Sequence, residues 1–367
     1  MNIKGSYSMK FIHCADLHLN SRIDNLSSDK AKIRREEIMR SFEKLCEYAE
    51  TENVSAVILA GDIFDTPYNP RKVKERFLHA VSSAENVDFL FLNGNHDEGK
   101  IFDENDVIPK NLKFFSDEWT SFFYGNVCIT GVNFTVENNL FVYDSLKLDA
   151  DKTNIVVMHG QTAAYNKADG FYIVNLKRLK DKNVDYLALG HVHAYSIGDL
   201  DQRGKYAYSG ALDGRGFDEL GEKGFILIDE LGGKLTETFV KFSSRVLFEE
   251  TFNVGEYPGF SALKSGILAK LRSFIPSESI IKVILKGEHP LDFFIDVKSI
   301  TSLLNEFYFY AKVYDRTEIK VNKDDFLLDK SVRGEFVRSV LASELDEDLK
   351  NKVVMCGLNA LKGEELL

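Results

Sequence analysis

An α/β fold built on a largely parallel sheet is predicted by three features of the chain. From residue 9 to about residue 100, strand-like apolar runs alternate with amphipathic helical stretches, the pattern that parallel strands with crossover helices require. Apolar runs then recur as far as residue 242, so a second sheet stacked on the first, with helices outside both, is expected. After Ser244 the pattern turns to α+β, and domains are expected at 9–244 and 245–367.

The first strand is expected at Lys10–Cys14; residues Met1 to Ser8 precede a second methionine, Met9, and are expected to be a leader or expression remnant. Between Asp29 and Glu52, the residues Ile38, Phe42, Leu45 and Ala49 share one helical face, and a strand Val54–Ala60 follows at once. The next helix is expected to begin with Asn69 as N-cap and Pro70 at its first position, turning Val73, Phe77 and Val81 inward. Strands are then expected at Val87–Leu92, Val127–Phe134, Asn154–Met158 and Val184–Leu189, with a helical stretch near Val174–Lys180. Tyr206–Ser209, Gly224–Asp229 and Thr236–Phe242 look like antiparallel strands, the first two separated by the Gly-rich segment 210–224. The second region is expected to hold strands Val246–Asn253, Ile280–Leu285 and Tyr308–Tyr314, and helices Ala262–Phe274, Val297–Phe307, Ser331–Ser343 and Asp346–Leu361.

At 44% hydrophobic and 28% charged residues over 367 positions, the chain can bury substantial cores. It has no apolar run of the ~18 residues a membrane span needs and no signal-like opening, so no membrane association and a cytoplasmic location are expected. Four scattered cysteines fit reduced thiols, and Cys14, close to Asp16, is read as a packed residue. A net charge of −11 argues against a broad basic face that coats nucleic acid. It leaves room for a local contact in which bound cations reverse the potential.

Chemistry concentrates in five islands, each directly after a strand-like run: Ala15-Asp-Leu-His, Gly61-Asp-Ile-Phe-Asp, Gly94-Asn-His-Asp, Met158-His-Gly and Gly190-His-Val-His. Together they hold Asp16, His18, Asp62, Asn95, His159, His191 and His193. In an α/β sheet, residues distant in sequence converge beyond the carboxyl ends of the strands. Strand alternation suggests that Asp16 with His18, and His191 with His193, each present a pair on one side. Carboxylate, imidazole and one amide oxygen suit Mn²⁺, Fe²⁺ or Zn²⁺ better than Ca²⁺. Seven ligands exceed the needs of one catalytic ion. A bridging carboxylate, expected to be Asp62, would hold two ions about 3.5–4 Å apart and acidify a water for in-line attack on a phosphate, with His96 as donor to the leaving oxygen. One such island alone would read as a hydrogen-bonded turn; five in register with five strands point to a dinuclear centre. His13, His79 and His289 lack this company and are read as structural.

These islands, in this order, resemble the calcineurin-like metallophosphoesterase superfamily over residues 9 to 242. Their wording, with Ser209-Gly-Ala-Leu-Asp-Gly-Arg-Gly-Phe-Asp-Glu-Leu-Gly-Glu-Lys-Gly, resembles the bacterial SbcD-type relatives of the MRN nuclease subunit, and YhaO-like members above all. The resemblance implies a four-layer α/β/β/α sandwich followed by a smaller α+β capping domain. It implies one ion on Asp16, His18, Asp62 and His193, a second on Asp62, Asn95, His159 and His191, and Mn²⁺ as the usual metal. His96 matches the family's catalytic histidine and Asp97 the acidic residue that orients it. Asp65 stands where some archaeal and eukaryotic relatives carry a second histidine, which implies a bacterial subtype. The implied function is a DNA exonuclease and endonuclease subunit in DNA repair, working with a coiled-coil SbcC-type ATPase; homodimer formation is left open. The alternatives are a small-molecule (cyclic nucleotide) phosphodiesterase and a non-catalytic scaffold for DNA ends or an ATPase. Arg22, Arg71, Tyr165, Arg215 and Lys223 lie near the islands and are candidates to meet phosphates or stack a base.

Overall fold

The computed structural model describes residues 8–65, 70–97, 101–135, 137–139, 141–162, 172–290, 293–320, 326 and 328–361. Of the leader segment, Ser8 alone lies within the described residues, and Asn69 and Tyr165 lie outside them. Contacts divide the chain into two compact units, Met1–Leu247 and Phe248–Leu367.

The first unit runs β1 (Met9–Cys14), α1 (Ser28–Thr51), β2 (Ala56–Ala60), α2 (Arg71–Ser83), β3 (Asp88–Leu92) and β4 (Leu112–Phe114). It continues through β5 (Thr120–Tyr124), β6 (Val127–Gly131), α3 (Val142–Ser145), β7 (Thr153–His159), α4 (Leu176–Leu179) and β8 (Tyr186–Gly190). It closes with β9 (Ser196–Asp199), β10 (Lys205–Tyr208), β11 (Gly224–Leu231) and β12 (Lys234–Lys241).

Two six-stranded sheets result, in the orders β12-β11-β1-β2-β3-β4 and β5-β6-β7-β8-β10-β9. In the first, β1 to β4 are parallel, β11 runs antiparallel to β1, and β12 runs antiparallel to β11. In the second, β6, β7, β8 and β10 are parallel between antiparallel edges β5 and β9.

The inner faces of the sheets bury one core, in which Phe11, Ile58 and Leu90 of the first meet Ile129, Val157 and Ala188 of the second. On the outer face of the first sheet, Phe42 of α1 stacks on Phe77 of α2 at 4.8 Å, and Phe77 meets Phe91 of β3 edge-on. Full burial of such a ring contributes roughly 1.5–3 kcal/mol. The outer face of the second sheet packs Val156, Met158 and Leu189 against Tyr143 of α3 and Leu179 of α4. The first unit is therefore a four-layer α/β/β/α sandwich, and its last layer holds helices of only four residues each.

Several local expectations need correction. Pro70 is extended, at ψ 143°, and precedes the helix as its N-cap instead of opening it. Tyr206–Ser209 does not join the strands that follow it: β10 lies parallel to β8, while β11 and β12 belong to the other sheet. Strands β4, β5 and β9 carry too few buried positions to announce themselves, because period-two patterning needs a buried face.

The second unit runs β13 (Leu247–Asn253), α5 (Phe260–Arg272), β14 (Ile280–His289), α6 (Val297–Phe307), β15 (Tyr310–Ile319), α7 (Val332–Leu341) and α8 (Glu347–Leu361). β14 and β15 pair in parallel through the α6 crossover, and the sheet order is β13-β14-β15. Leu263, Ile267 and Leu271 of α5 and Ile300 and Leu304 of α6 form one core with β14. Val337 and Val340 of α7 pack on Val354 and Leu358 of α8 as a separate cluster.

Candidate metal centre

The islands stand at the carboxyl ends of their strands. Asp16 and His18 follow β1, Asp62 follows β2, Asn95 and His96 follow β3, His159 is the last residue of β7, and His191 and His193 follow β8. Strand pleating does not pair these residues. Asp16, His18, Asp62 and His191 lie past the strands with positive φ, at 54°, 43°, 55° and 98°, a region that side chains other than glycine's occupy at a cost. Hydrogen bonds between islands hold this backbone in place. Asp16 N donates to Gly61 O at 3.0 Å and His18 N to Asp62 O at 2.9 Å, while His191 N donates to Asp16 Oδ1 at 2.9 Å.

Two glycines make the close approach feasible. A Cβ at Gly61, φ 90°, would strike the His159 ring, and one at Gly94 would strike the Asp62 carboxylate and backbone nitrogen.

Ligand atoms of Asp16, His18 and His193 lie within 4.8 Å of one another, and so do those of Asp62, His159 and His191. Asp62 faces both groups: its Oδ2 is 3.6 Å from His18 Nε2 and 3.4 Å from His159 Nε2. Asn95 Oδ1 joins the second, 3.1 Å from His159 Nε2 and 2.9 Å from His191 Nδ1. His191 and His193, two residues apart, thus serve different groups.

These residues fit a pair of cations. Asp16 Oδ2 and His18 Nδ1 are buried without a hydrogen-bond partner, and a buried carboxylate oxygen in that state is costly unless a cation offsets it. Burial pushes the Asp16 carboxyl up to about 6, against the pull of His193 and His159. Burial also opposes the charge on Asp62, but His159 and His18 outweigh it and hold its carboxyl below the ordinary carboxylate range. Burial lowers His18 well below the usual imidazole range and brings His191 down to about 4, so both rings rest neutral, as metal ligands must be.

His96 sits at the rim with its side chain 45% exposed, and its Nδ1 is 2.7 Å from Asp65 Oδ1. Its ring meets His18 edge-on at 4.8 Å, and its backbone N donates to Asp62 Oδ1 at 2.8 Å. The expectation that Asp97 orients His96 is overturned by geometry. Asp97 is buried and accepts from Phe64 N at 2.8 Å, Gly94 N at 3.0 Å and Ile63 N at 3.1 Å. It ties the second island to the third, and among the described residues Asp65 is the carboxylate on the His96 ring.

Reading the islands alone also misses Glu219, whose Oε1 is 2.7 Å from His193 Nδ1. The Gly-rich wording around Glu219 was the available signal, but spacing does not disclose which ring it reaches. Arg215 is tied to Glu219, and Lys223 is buried with Nζ donating to His193 O at 2.7 Å. Arg22 and Arg71 are exposed and pair with Asp24 and Glu75. Away from the site, Cys14 is fully buried in the core. His13 joins Tyr186 Oη at 2.8 Å and Leu189 O at 3.1 Å, linking the two sheets.

The model of the calcineurin-like phosphoesterase family matches residues 9–195. The chain belongs to this family. The phosphoesterase is 24% identical to the DNA double-strand break repair protein Mre11 of Sulfurisphaera tokodaii, over 94% of its own length and 98% of that protein's. It is 27% identical to the Mre11 of Aeropyrum pernix, over 77% and 74% of the two chains. The uncharacterized metallophosphoesterase YhaO of Bacillus subtilis is 26% identical, over 77% of this chain and 72% of that one. As a family member the phosphoesterase is a hydrolase of phosphoesters, and divalent metals serve such enzymes. Among its described residues no helix is long and apolar enough to cross a membrane.

Proposed function

We propose that this phosphoesterase is a dinuclear-metal-dependent phosphodiester hydrolase that cuts DNA, as the exonuclease and endonuclease subunit of a repair complex with a coiled-coil SbcC-type ATPase. One observation carries the reading: two ligand groups stand side by side with Asp62 facing both. Likeness to two Mre11 proteins, one of them over 94% of this chain, supports DNA as the substrate.

In this reading Asp16, His18, Asp62 and His193 hold one ion, and Asp62, Asn95, His159 and His191 hold the other, with Mn²⁺ the preferred metal. When bound, two such ions neutralise phosphate oxygens and lower the pKa of a water. The protein's own groups do the rest. His96 gives a proton to the leaving oxygen. Asp65, at 2.7 Å from Nδ1, holds the ring in place. Asp97 keeps the second and third islands in register through three backbone amides.

The test is incubation of pure protein with end-labelled single- and double-stranded DNA, with and without Mn²⁺. Metal-dependent cleavage is expected, abolished by Asp62→Asn and strongly reduced by His96→Ala. Activity unchanged in both variants would sink the mechanism, and hydrolysis of cyclic nucleotides in place of DNA would redirect the substrate.

A further inference from the structure

Residues 209–223 cross from β10 in the second sheet to β11 in the first, at the end of the sandwich where the islands lie. Ala211 of this strap bridges to Ala15, next to Asp16, and its N donates to His193 O at 3.3 Å. The strap also carries Glu219, a buried carboxylate with no part in the chemistry above.

Both Glu219 oxygens are engaged. Oε1 lies 2.7 Å from His193 Nδ1, accepts from Arg215 Nε at 2.8 Å and forms an ion pair with Arg215 Nη2 at 2.7 Å, and Oε2 accepts from the Arg215 backbone N at 2.7 Å. So anchored, the carboxylate accepts a hydrogen bond from the Nδ1–H tautomer of His193, which leaves Nε2 with its lone pair on the side of His18, whose Nε2 is 3.2 Å away. Lys223 Nζ fixes the His193 carbonyl from the same strap. Among the described residues, no carboxylate stands behind the imidazoles of the second ligand group: His159 Nδ1 has the Ala60 carbonyl at 2.9 Å, and His191 turns Nδ1 to Asn95 Oδ1.

We propose that Glu219 is the positioning residue for His193 and sets the affinity of one ion site only, that of Asp16, His18 and His193. A carboxylate behind a ligating imidazole fixes its tautomer and raises its basicity. The two sites are therefore unequal, and the strap governs one of them. The inference rests on the dinuclear reading above.

The test is Mn²⁺ titration of the full chain by calorimetry and by EPR, which separates an exchange-coupled ion pair from a lone bound ion. Wild-type protein is expected to take up two ions. Glu219→Ala should weaken one of them by about 10- to 100-fold, the usual effect of removing such a partner, and leave the other unchanged. Glu219→Gln keeps an acceptor without the charge, should fold as wild type, and should show a smaller loss at the same site. Combined with Asp16→Ala, Glu219→Ala should add no further loss; combined with Asn95→Ala it should add its full effect. A folded Glu219 variant that binds both ions with wild-type affinity, or weakens both alike, overturns the proposal. Wild-type protein that takes up fewer than two ions overturns the dinuclear reading, and the role of Glu219 falls with it.

Discussion

His96 and Asp65 form a hydrogen-bonded pair at 2.7 Å, although they stand 31 residues apart and an aspartate directly follows His96 in the chain. That neighbour, Asp97, turns into the protein and binds backbone amides. Two aspartates near one histidine therefore have different work, and their substitutions should part cleanly.

Asp65→Asn should lower kcat and leave metal content and melting temperature near wild type. The loss should stay below the roughly 10²- to 10⁴-fold expected for removing a general acid in His96→Ala. Asp97→Asn should act through the fold. One carboxylate oxygen becomes an NH₂ facing amide donors, which costs about 1–3 kcal/mol for each group left unsatisfied, and metal uptake should fall with it. Thermal melts, kcat and metal content by mass spectrometry separate the two.

Asp62→Asn should reduce both ion sites together, because Oδ2 faces His18 and His159 at 3.6 and 3.4 Å. His191→Ala should reduce one. Stoichiometry by equilibrium dialysis checks this, and equal losses in the two variants would contradict the shared position of Asp62.

Gly94→Ala should destabilise the first unit, since the new methyl meets the Asp62 backbone nitrogen as well as its carboxylate. Overpacking of this kind typically costs about 1–3 kcal/mol. Denaturant unfolding should show the loss, and metal affinity should drop in parallel because Asp62 must move.

Arg34 is fully buried on α1 and pairs with Asp213, while its Nε donates to Gly214 O at 2.9 Å and its Nη1 to Ser244 Oγ at 2.6 Å. Arg34→Ala would leave Asp213 buried without its charge partner, a loss of about 3–5 kcal/mol. The melting temperature should fall substantially, and the strap that carries Glu219 should become accessible to protease.

Where the islands sit was legible because apolar runs mark buried strands and a glycine or polar residue marks where each strand stops. Asp16, Asp62, Asn95, His159, His191 and His193 could each be placed at such an end. The positive-φ backbone at Asp16, His18, Asp62 and His191 was not legible, since residue type at Asp16 or His191 does not reveal that another island's hydrogen bonds will impose that conformation. The short edge strands escaped for a related reason: β5 and β9 bury too little of either face to leave a periodic trace.

The sequence by itself determined an α/β chain with metal-type side chains at the ends of its buried strands, because burial and strand ends are local properties written in residue order. Only the tertiary structure decided that His96 rests on Asp65, that Asp97 turns to backbone amides, and that His193 rests on Glu219. Those pairings depend on how two sheets stack and where a crossing strap lies, and neither distance nor direction across that gap is encoded in spacing along the chain.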